Sequence, residues 1–492
     1  MSGSDPGLST KVARGVAWAG AAQAVIAIAD LLSQMIVVAL WVSADDLGIA
    51  FAAIPLYAAL DAAADLGVTS ALIQHDDLTP ERVSTVFWFN VMVSGALFLV
   101  LLGVGPLYGM WQHHAVIGWL LVAYGAKLVL QNVYAIPFAL LRKELRFDAV
   151  AKARIVAHLS ESISRVVFAA MGYTIWCFTL AALVRATVFG IVIQLRHPWL
   201  PKFVFRPREV RSHIKFGLRS AGSQVLYQLY TSVDAPIVAH FFGDVANGIY
   251  SLADYLILEP VKTIANVVID VAFPTFARIR DDRKALAAQL IQFTRLNLIA
   301  ILPFVVLILL VVPEFLRLCY SGGKWTPDQL EICGQAARIL CVMGLFRSLG
   351  YLGPPLLDGV GKPQLTLRYM MIATIAVPGS FALGAQLLGA RLGLLSVPVA
   401  WAVGYPIAFA VLAYLVTKTI DLPIRAYLRG TWGIVGCCAV GLGAGFGVSL
   451  ALPHAGDAVR LVAIGGASLV VTAALLASWQ KITPRSIRAS LG

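Results

Sequence analysis

Charge is scarce in this chain. Only 13% of its 492 residues are Asp, Glu, Lys or Arg, while 59% are hydrophobic and the mean hydropathy is +0.81. So little polar surface cannot hold a globule of this size in water, which leaves lipid as the solvent. Cysteine is sparse too: the six residues include no Cys-x-x-Cys spacing, and Cys437-Cys438 lies in an apolar run, so zinc and redox centres are not expected. Cys319 and Cys333 flank one gap between apolar stretches, where an oxidising space would permit a disulfide between them. No Gly-Lys-Ser/Thr accompanies Gly441-Leu442-Gly443-Ala444-Gly445, so that run reads as a small-residue helix face and not as a nucleotide loop. Without an ATP site, the driving force is a gradient or the consumption of product downstream. His113-His114 reads as a solvated pair, no cofactor is called for, and no gap is long enough to fold as a soluble unit.

What the chain has in abundance is apolar sequence. About fourteen stretches are long enough to cross a bilayer, from 14–41 and 47–72 near the start to 431–452 and 458–479 near the end. Lys and Arg fill every second gap between them: Arg82, then Arg142 to Arg154, Arg196 to Lys215, Arg278 to Lys284, Lys362 and Arg368, Lys418 to Arg429, and Lys481 to Arg488. The intervening gaps hold Arg317, Lys324, Arg391 and Arg460. Positive charge stays on the cytoplasmic side, so both termini are expected there. The net charge of +12 then faces anionic inner-leaflet lipid and is not the mark of a nucleic-acid partner.

The two halves repeat. A shift of 200 positions lays Ile36-Val37-Val38-Ala39-Leu40-Trp41 on Pro236-Ile237-Val238-Ala239-His240-Phe241, and Gly48-Ile49 on Gly248-Ile249. Both repeats begin on the same side, which makes them parallel repeats with a substrate path between two bundles. The expected fold is an all-α polytopic membrane protein with about fourteen transmembrane helices in two six-helix lobes plus two C-terminal helices. Its boundaries are a first lobe over 1–195, a cytoplasmic linker over 196–216, a second lobe over 217–416, and the last two spans with a tail over 417–492.

Asp65-Leu66-Gly67, Ala71-Leu72-Ile73-Gln74 and Ser84-Thr85-Val86-Phe87-Trp88-Phe89-Asn90 resemble the polysaccharide transporter (Wzx-type flippase) branch of the multidrug/oligosaccharidyl-lipid/polysaccharide exporter superfamily. Pro137 to Phe147, Gly248 to Ala253 and Phe273-Pro274-Thr275-Phe276 are similar to that branch at corresponding places, so the likeness covers about residues 10–420. The resemblance implies two lobes around a central cavity in a bacterial cytoplasmic membrane. Its cargo would be undecaprenyl-diphosphate-linked oligosaccharide, moved to the outer leaflet by alternating access for surface or exopolysaccharide assembly. A polysaccharide polymerase or glycosyltransferases would be its working partners.

A sugar-diphosphate head loses its water in hydrocarbon, so a carrier must offer a hydrated, partly cationic route. Polar side chains inside the spans fall into stripes at helical spacing: Gln23, Asp30 and Gln34; Tyr124, Lys127, Gln131 and Tyr134; His158, Glu161 and Arg165; Gln224, Gln228 and Thr231. Lys127 has no acid at helical spacing on its own span, which marks it for a phosphate or for an acid on another helix. Glu161 with Arg165, and Glu259 with Lys262, are spaced to form ion pairs that only lock helices. Arg185 and Arg347 are deep. Nine residues separate Arg338 from Arg347, about half a turn out of phase, so both face one cavity only if the helix bends near Gly344. The expected head contacts are Lys127, Arg165, Arg185 and Arg347, with Gln131, Gln224, Gln228 and Tyr124 beside them. Asp30, Asp61 and Asp234 are coupling-ion candidates, and Asp61 could equally neutralise Lys127 or Arg165.

Two other functions remain open at this point. A cation-coupled multidrug exporter on the same scaffold would use a chiefly acidic and aromatic pocket, for which Asp30, Asp61 and Asp234 are the material. A membrane glycan polymerase or ligase would resemble chains with a large external catalytic loop, which this sequence does not have. The chain therefore reads as a transporter rather than an enzyme.

Overall fold

A computed structural model of the chain describes residues 23, 25–64, 79–144, 146–206 and 225–481, and all the regular structure among them is helical. The chain divides into two compact units, Met1–Gly248 and Ile249–Gly492.

The first unit holds α1 (Val25–Leu40), α2 (Ala44–Ala52), α3 (Ile54–Ala64), α4 (Pro80–Trp111), α5 (Ala115–Val133), α6 (Ala135–Lys143), α7 (Phe147–Ala170), α8 (Cys177–Arg196), a helical stretch over 225–232, and α9 (Asp234–Phe242). The chain passes into the second unit along α10 (Asp244–Arg278). There follow α11 (Arg283–Tyr320), α12 (Pro327–Gly350), α13 (Gly353–Gly359), α14 (Pro363–Leu392), α15 (Ser396–Ile420), α16 (Ile424–Ala451) and α17 (Asp457–Ser478).

Short polar signals start these helices. Thr79 accepts from the Arg82 amide with Pro80 in the first turn, and Asp282 accepts from the Lys284 and Ala285 amides. Ser43 with Asp46, and Thr326 with Gln329, form reciprocal capping boxes.

Proline acts in two ways. Pro55, Pro137, Pro236 and Pro354 each sit in the first turn of a new helix just past a break, at Ala53, Tyr134, Val233 and Leu352. A missing N–H is harmless in a first turn, so the break falls where the lost bond costs least. Pro106, Pro260, Pro303, Pro378 and Pro406 instead lie inside continuous helices.

Among the described residues nine stretches are long and apolar enough to cross a membrane, one of them, Pro363–Ile420, carrying both α14 and α15. The chain is thus a polytopic helical membrane protein. Helix α7 falls outside that set despite its 24 residues, because Asp148, Lys152, Arg154, Glu161 and Arg165 interrupt its apolar run. A helix so charged is stable among other helices only if its ionic groups are answered there.

Two cores hold the units. In the first, Ile49, Ala52, Tyr57 and Ala64 of α2 and α3 pack on Ile117, Leu120, Leu121, Tyr124 and Leu128 of α5. In the second, Leu298, Leu302, Val306 and Leu310 of α11 pack against Ile434, Cys437 and Cys438 of α16 and Ile464 and Leu476 of α17. Gly441 lies against Thr472 and Ser468, so the glycine run does pack helices, as its composition suggested. All six cysteines are free, including Cys319 and Cys333, which removes the disulfide reading.

Candidate functional site

Inside the first unit, five helices bring polar side chains together. Arg165 on α7 is the hub: its Nη2 lies 2.8 Å from Asp30 Oδ1 on α1 and 3.7 Å from Glu161 Oε1 one turn back. Its Nη1 donates to Ser33 Oγ at 3.1 Å and to Gln34 Oε1 at 3.3 Å. The stripes on α1 and α7 therefore face each other. Glu161 is shared further: its Oε2 lies 3.2 Å from Arg185 Nη1 on α8 and 3.6 Å from His158 Nδ1.

Burial differs across this group. The Arg165 and Glu161 side chains are 8% and 9% exposed, whereas Arg185 and Asp30 keep 29% and 34% of theirs. Arg165 is thus neutralised in a closed contact, the helix-locking reading of the Glu161–Arg165 spacing. Arg185 leans on Glu161 from the more open side. Asp30 and Glu161 are the carboxylates that hold the Arg165 guanidinium, at 2.8 and 3.7 Å.

Lys127 on α5 has a different environment. It is 5% exposed. Its Nζ lies 4.6 Å from the centre of the Tyr57 ring and 5.9 Å from that of Tyr124. Those two rings stack at 4.6 Å, and the Tyr57 hydroxyl donates to Gln131 Oε1 at 3.0 Å. Among the described residues Lys127 has no carboxylate within ion-pair distance, and the faces of two aromatic rings are a weaker answer to a buried ammonium than an anion. Tyr124, covered by Tyr57, packs. Tyr57 was missed in the sequence, although its spacing of four from Asp61 on α3 places both on one face.

The remaining candidates lie elsewhere. Gln224 falls outside the described residues. Gln228 is half-buried in the 225–232 stretch, and Asp234 is a buried first residue of α9. Arg347 belongs to the second unit, where it is buried with its guanidinium 5.5 Å from the Trp401 ring centre and 5.9 Å from that of Tyr351. Helix α12 runs unbroken through Gly344, and Arg338 is exposed while Arg347 is buried, so the half-turn between them persists. Glu259 and Lys262 pair at 3.5 Å one turn apart on α10.

Residues 37–328 match the model of a family described as polysaccharide biosynthesis protein. The chain belongs to this family. Among relatives in the polysaccharide biosynthesis proteins, it is 24% identical over 393 residues to the teichuronic acid biosynthesis protein TuaB of Bacillus subtilis (strain 168), covering 79% of each chain. It is 25% identical over 395 residues to the lipopolysaccharide biosynthesis protein WzxC of Escherichia coli (strain K12), covering 78% of this chain and 77% of that one. The fold is similar to that of the lipid II flippase MurJ in its inward closed conformation, with a TM-score of 0.74 at 17% identity over 93% of this chain and 98% of MurJ. Lys127, Glu161, Arg165 and Arg185 fall inside the range shared with other polysaccharide biosynthesis proteins, Asp30 just before it and Arg347 just after it.

Proposed function

We propose that this chain is a flippase that carries an oligosaccharide linked through a diphosphate to a polyprenyl lipid from the cytoplasmic to the outer leaflet, by alternating access, for surface or exopolysaccharide assembly. It is a transport protein of polysaccharide biosynthesis and not an enzyme. Both termini lie in the cytoplasm in this reading, and the lobes comprise 1–195 and 217–416. A polymerase or glycosyltransferases act beside it.

The observation that carries this reading is Lys127. A buried ammonium that rests on ring faces, with no carboxylate within ion-pair distance among the described residues, is costly, and a phosphate oxygen would relieve that cost. Arg185, half-open and sharing Glu161 with Arg165 and His158, supplies a second cation on the neighbouring helix. The names of TuaB, WzxC and MurJ, all tied to cell-surface glycans or their lipid-linked precursors, support the same cargo class. The multidrug-cation reading has less to stand on, because Asp30 is already bound to Arg165 at 2.8 Å. Asp61 and Asp234 remain the coupling-ion proposals.

The test replaces Lys127 and Arg347 singly with Ala at unchanged protein level and measures polysaccharide at the cell surface. Each variant should export at least about tenfold less, the effect of losing one charge-assisted contact. Full surface polysaccharide in both would remove the cationic route.

A further inference from the structure

The second unit holds a cavity of about 470 Å³ between the end of α11 and the start of α12, lined by Arg338, Arg317, Ser321, Trp325, Glu331 and Gln335 among others. It lies well away in sequence from the Lys127 site, at the end of the unit that the loop charges assign to the outer side.

Its construction begins with a proline. Pro313 has no N–H to offer the Leu309 carbonyl one turn earlier in α11, which leaves that acceptor open. Arg338 of α12 fills the gap, with Nε donating to the Leu309 carbonyl at 3.2 Å. The bond fixes the guanidinium plane, and the two terminal nitrogens have no protein partner among the described residues. Arg317, on the opposite wall, is already satisfied: Nε and Nη2 hold Asp457 Oδ1 at 3.0 and 2.7 Å. Glu331 and Gln335 follow the same helix face as Arg338, with Gln335 Nε2 donating to Glu331 Oε1 at 3.4 Å.

A fixed guanidinium fork with free terminal nitrogens matches a carboxylate or a phosphate in two-point geometry. Glu331 decides between them, since its negative charge in the same cavity opposes a compact dianion. Its carboxylate oxygens, the Gln335 amide and the Ser321 hydroxyl are instead the mixed acceptors and donors that sugar hydroxyls require. We infer that this cavity binds an acidic saccharide, with Arg338 taking the sugar carboxylate and Glu331, Gln335 and Ser321 taking ring hydroxyls. The inference rests on the reading that the cargo is a glycan, and adds that the glycan carries a carboxylate and is met a second time at the outer end of the second unit.

The experiment is binding of D-glucuronate to the purified full-length chain in detergent, followed by saturation-transfer NMR, with D-glucose and inorganic phosphate as comparison ligands. Glucuronate should bind at least tenfold more tightly than either, and Arg338→Gln should weaken it at least tenfold. Because Arg338→Gln also uncaps Leu309, Gln335→Ala, which leaves that bond in place, should by itself weaken glucuronate several-fold. Phosphate binding as tightly as glucuronate, or wild-type affinity in both variants, or no glucuronate binding to the wild type, overturns the inference. Lys127→Ala should lose export yet keep glucuronate binding. Loss of export in that variant without any glucuronate binding to the wild type would sink the saccharide cavity alone, and Arg338-dependent binding with undiminished export in Lys127→Ala would sink the cationic route alone.

Discussion

Gly48 and Gly248, two hundred positions apart, are packed backbone to backbone. A Cβ on Gly48 would strike the Asp244 carbonyl, and one on Gly248 would strike the Ala44 carbonyl, so each contact maps onto the other under a shift of 200 positions. Asn247 Nδ2 seals the approach by donating to the Gly48 carbonyl at 2.7 Å. A methyl group at either glycine has no flexible side chain to push aside, only main chain. Gly248→Ala should therefore lower stability by about 1–3 kcal/mol, the usual cost of overpacking. Gly443→Ala, where a Cβ meets nothing within 4 Å, should not. Thermal unfolding of both variants in detergent checks the pair, and equal melting temperatures would refute the close contact.

Glu161 answers two arginines at once, so Glu161→Gln should be far more damaging than its size suggests. Removing one partner of a buried ionic group costs about 3–5 kcal/mol, because the remaining charges stay buried. Asp148→Asn, at the exposed pair with Lys152 in the first turns of α7, should change stability by less than about 1 kcal/mol. Denaturation midpoints of the two variants, compared with the parent chain, supply the measurement.

Lys127→Met separates stability from function. The thioether side chain has a similar length and packs on the Tyr57 and Tyr124 rings without the charge, so the variant should fold at least as stably as the parent. Surface polysaccharide should nevertheless fall with it, as with Lys127→Ala. A less stable protein that still exports fully would show the ammonium to be structural.

Arg460 closes the end of the last helix pair where α16 passes into α17. Its Nε donates to the buried Glu314 carboxylate at 3.0 Å, and its Nη1 reaches the Leu452 carbonyl where α16 ends. Arg460→Ala should leave Glu314 buried with Arg317 at 3.8 Å as its remaining cation, and should loosen α17 from α11. The expected loss is about 3 kcal/mol, read as earlier proteolysis between α16 and α17. Unchanged proteolysis would show that apolar packing alone holds the pair.

Much of the site was legible along single helices. His158, Glu161 and Arg165 share a face by spacing, as do Tyr124, Lys127 and Gln131, and both faces point to polar neighbours in the fold. Their partners were not legible. Asp30 is 135 residues from Arg165, Arg185 is 24 from Glu161, and no periodicity links such pairs. The same holds for Arg338, whose bond to Leu309 exists because Pro313 on another helix left a carbonyl open.

By itself the sequence determined the solvent, the helices and their starts: apolar runs need lipid, and Ser43, Thr79, Asp282 and Thr326 cap where their side chains can reach the next amides. Only the tertiary structure decided which buried charges are spent on one another and which, like Lys127, rest on aromatic faces instead. Ionic pairing depends on the rotation and depth of neighbouring helices to within an ångström or so, and hydrophobic periodicity fixes which face a helix turns inward without fixing what it meets there.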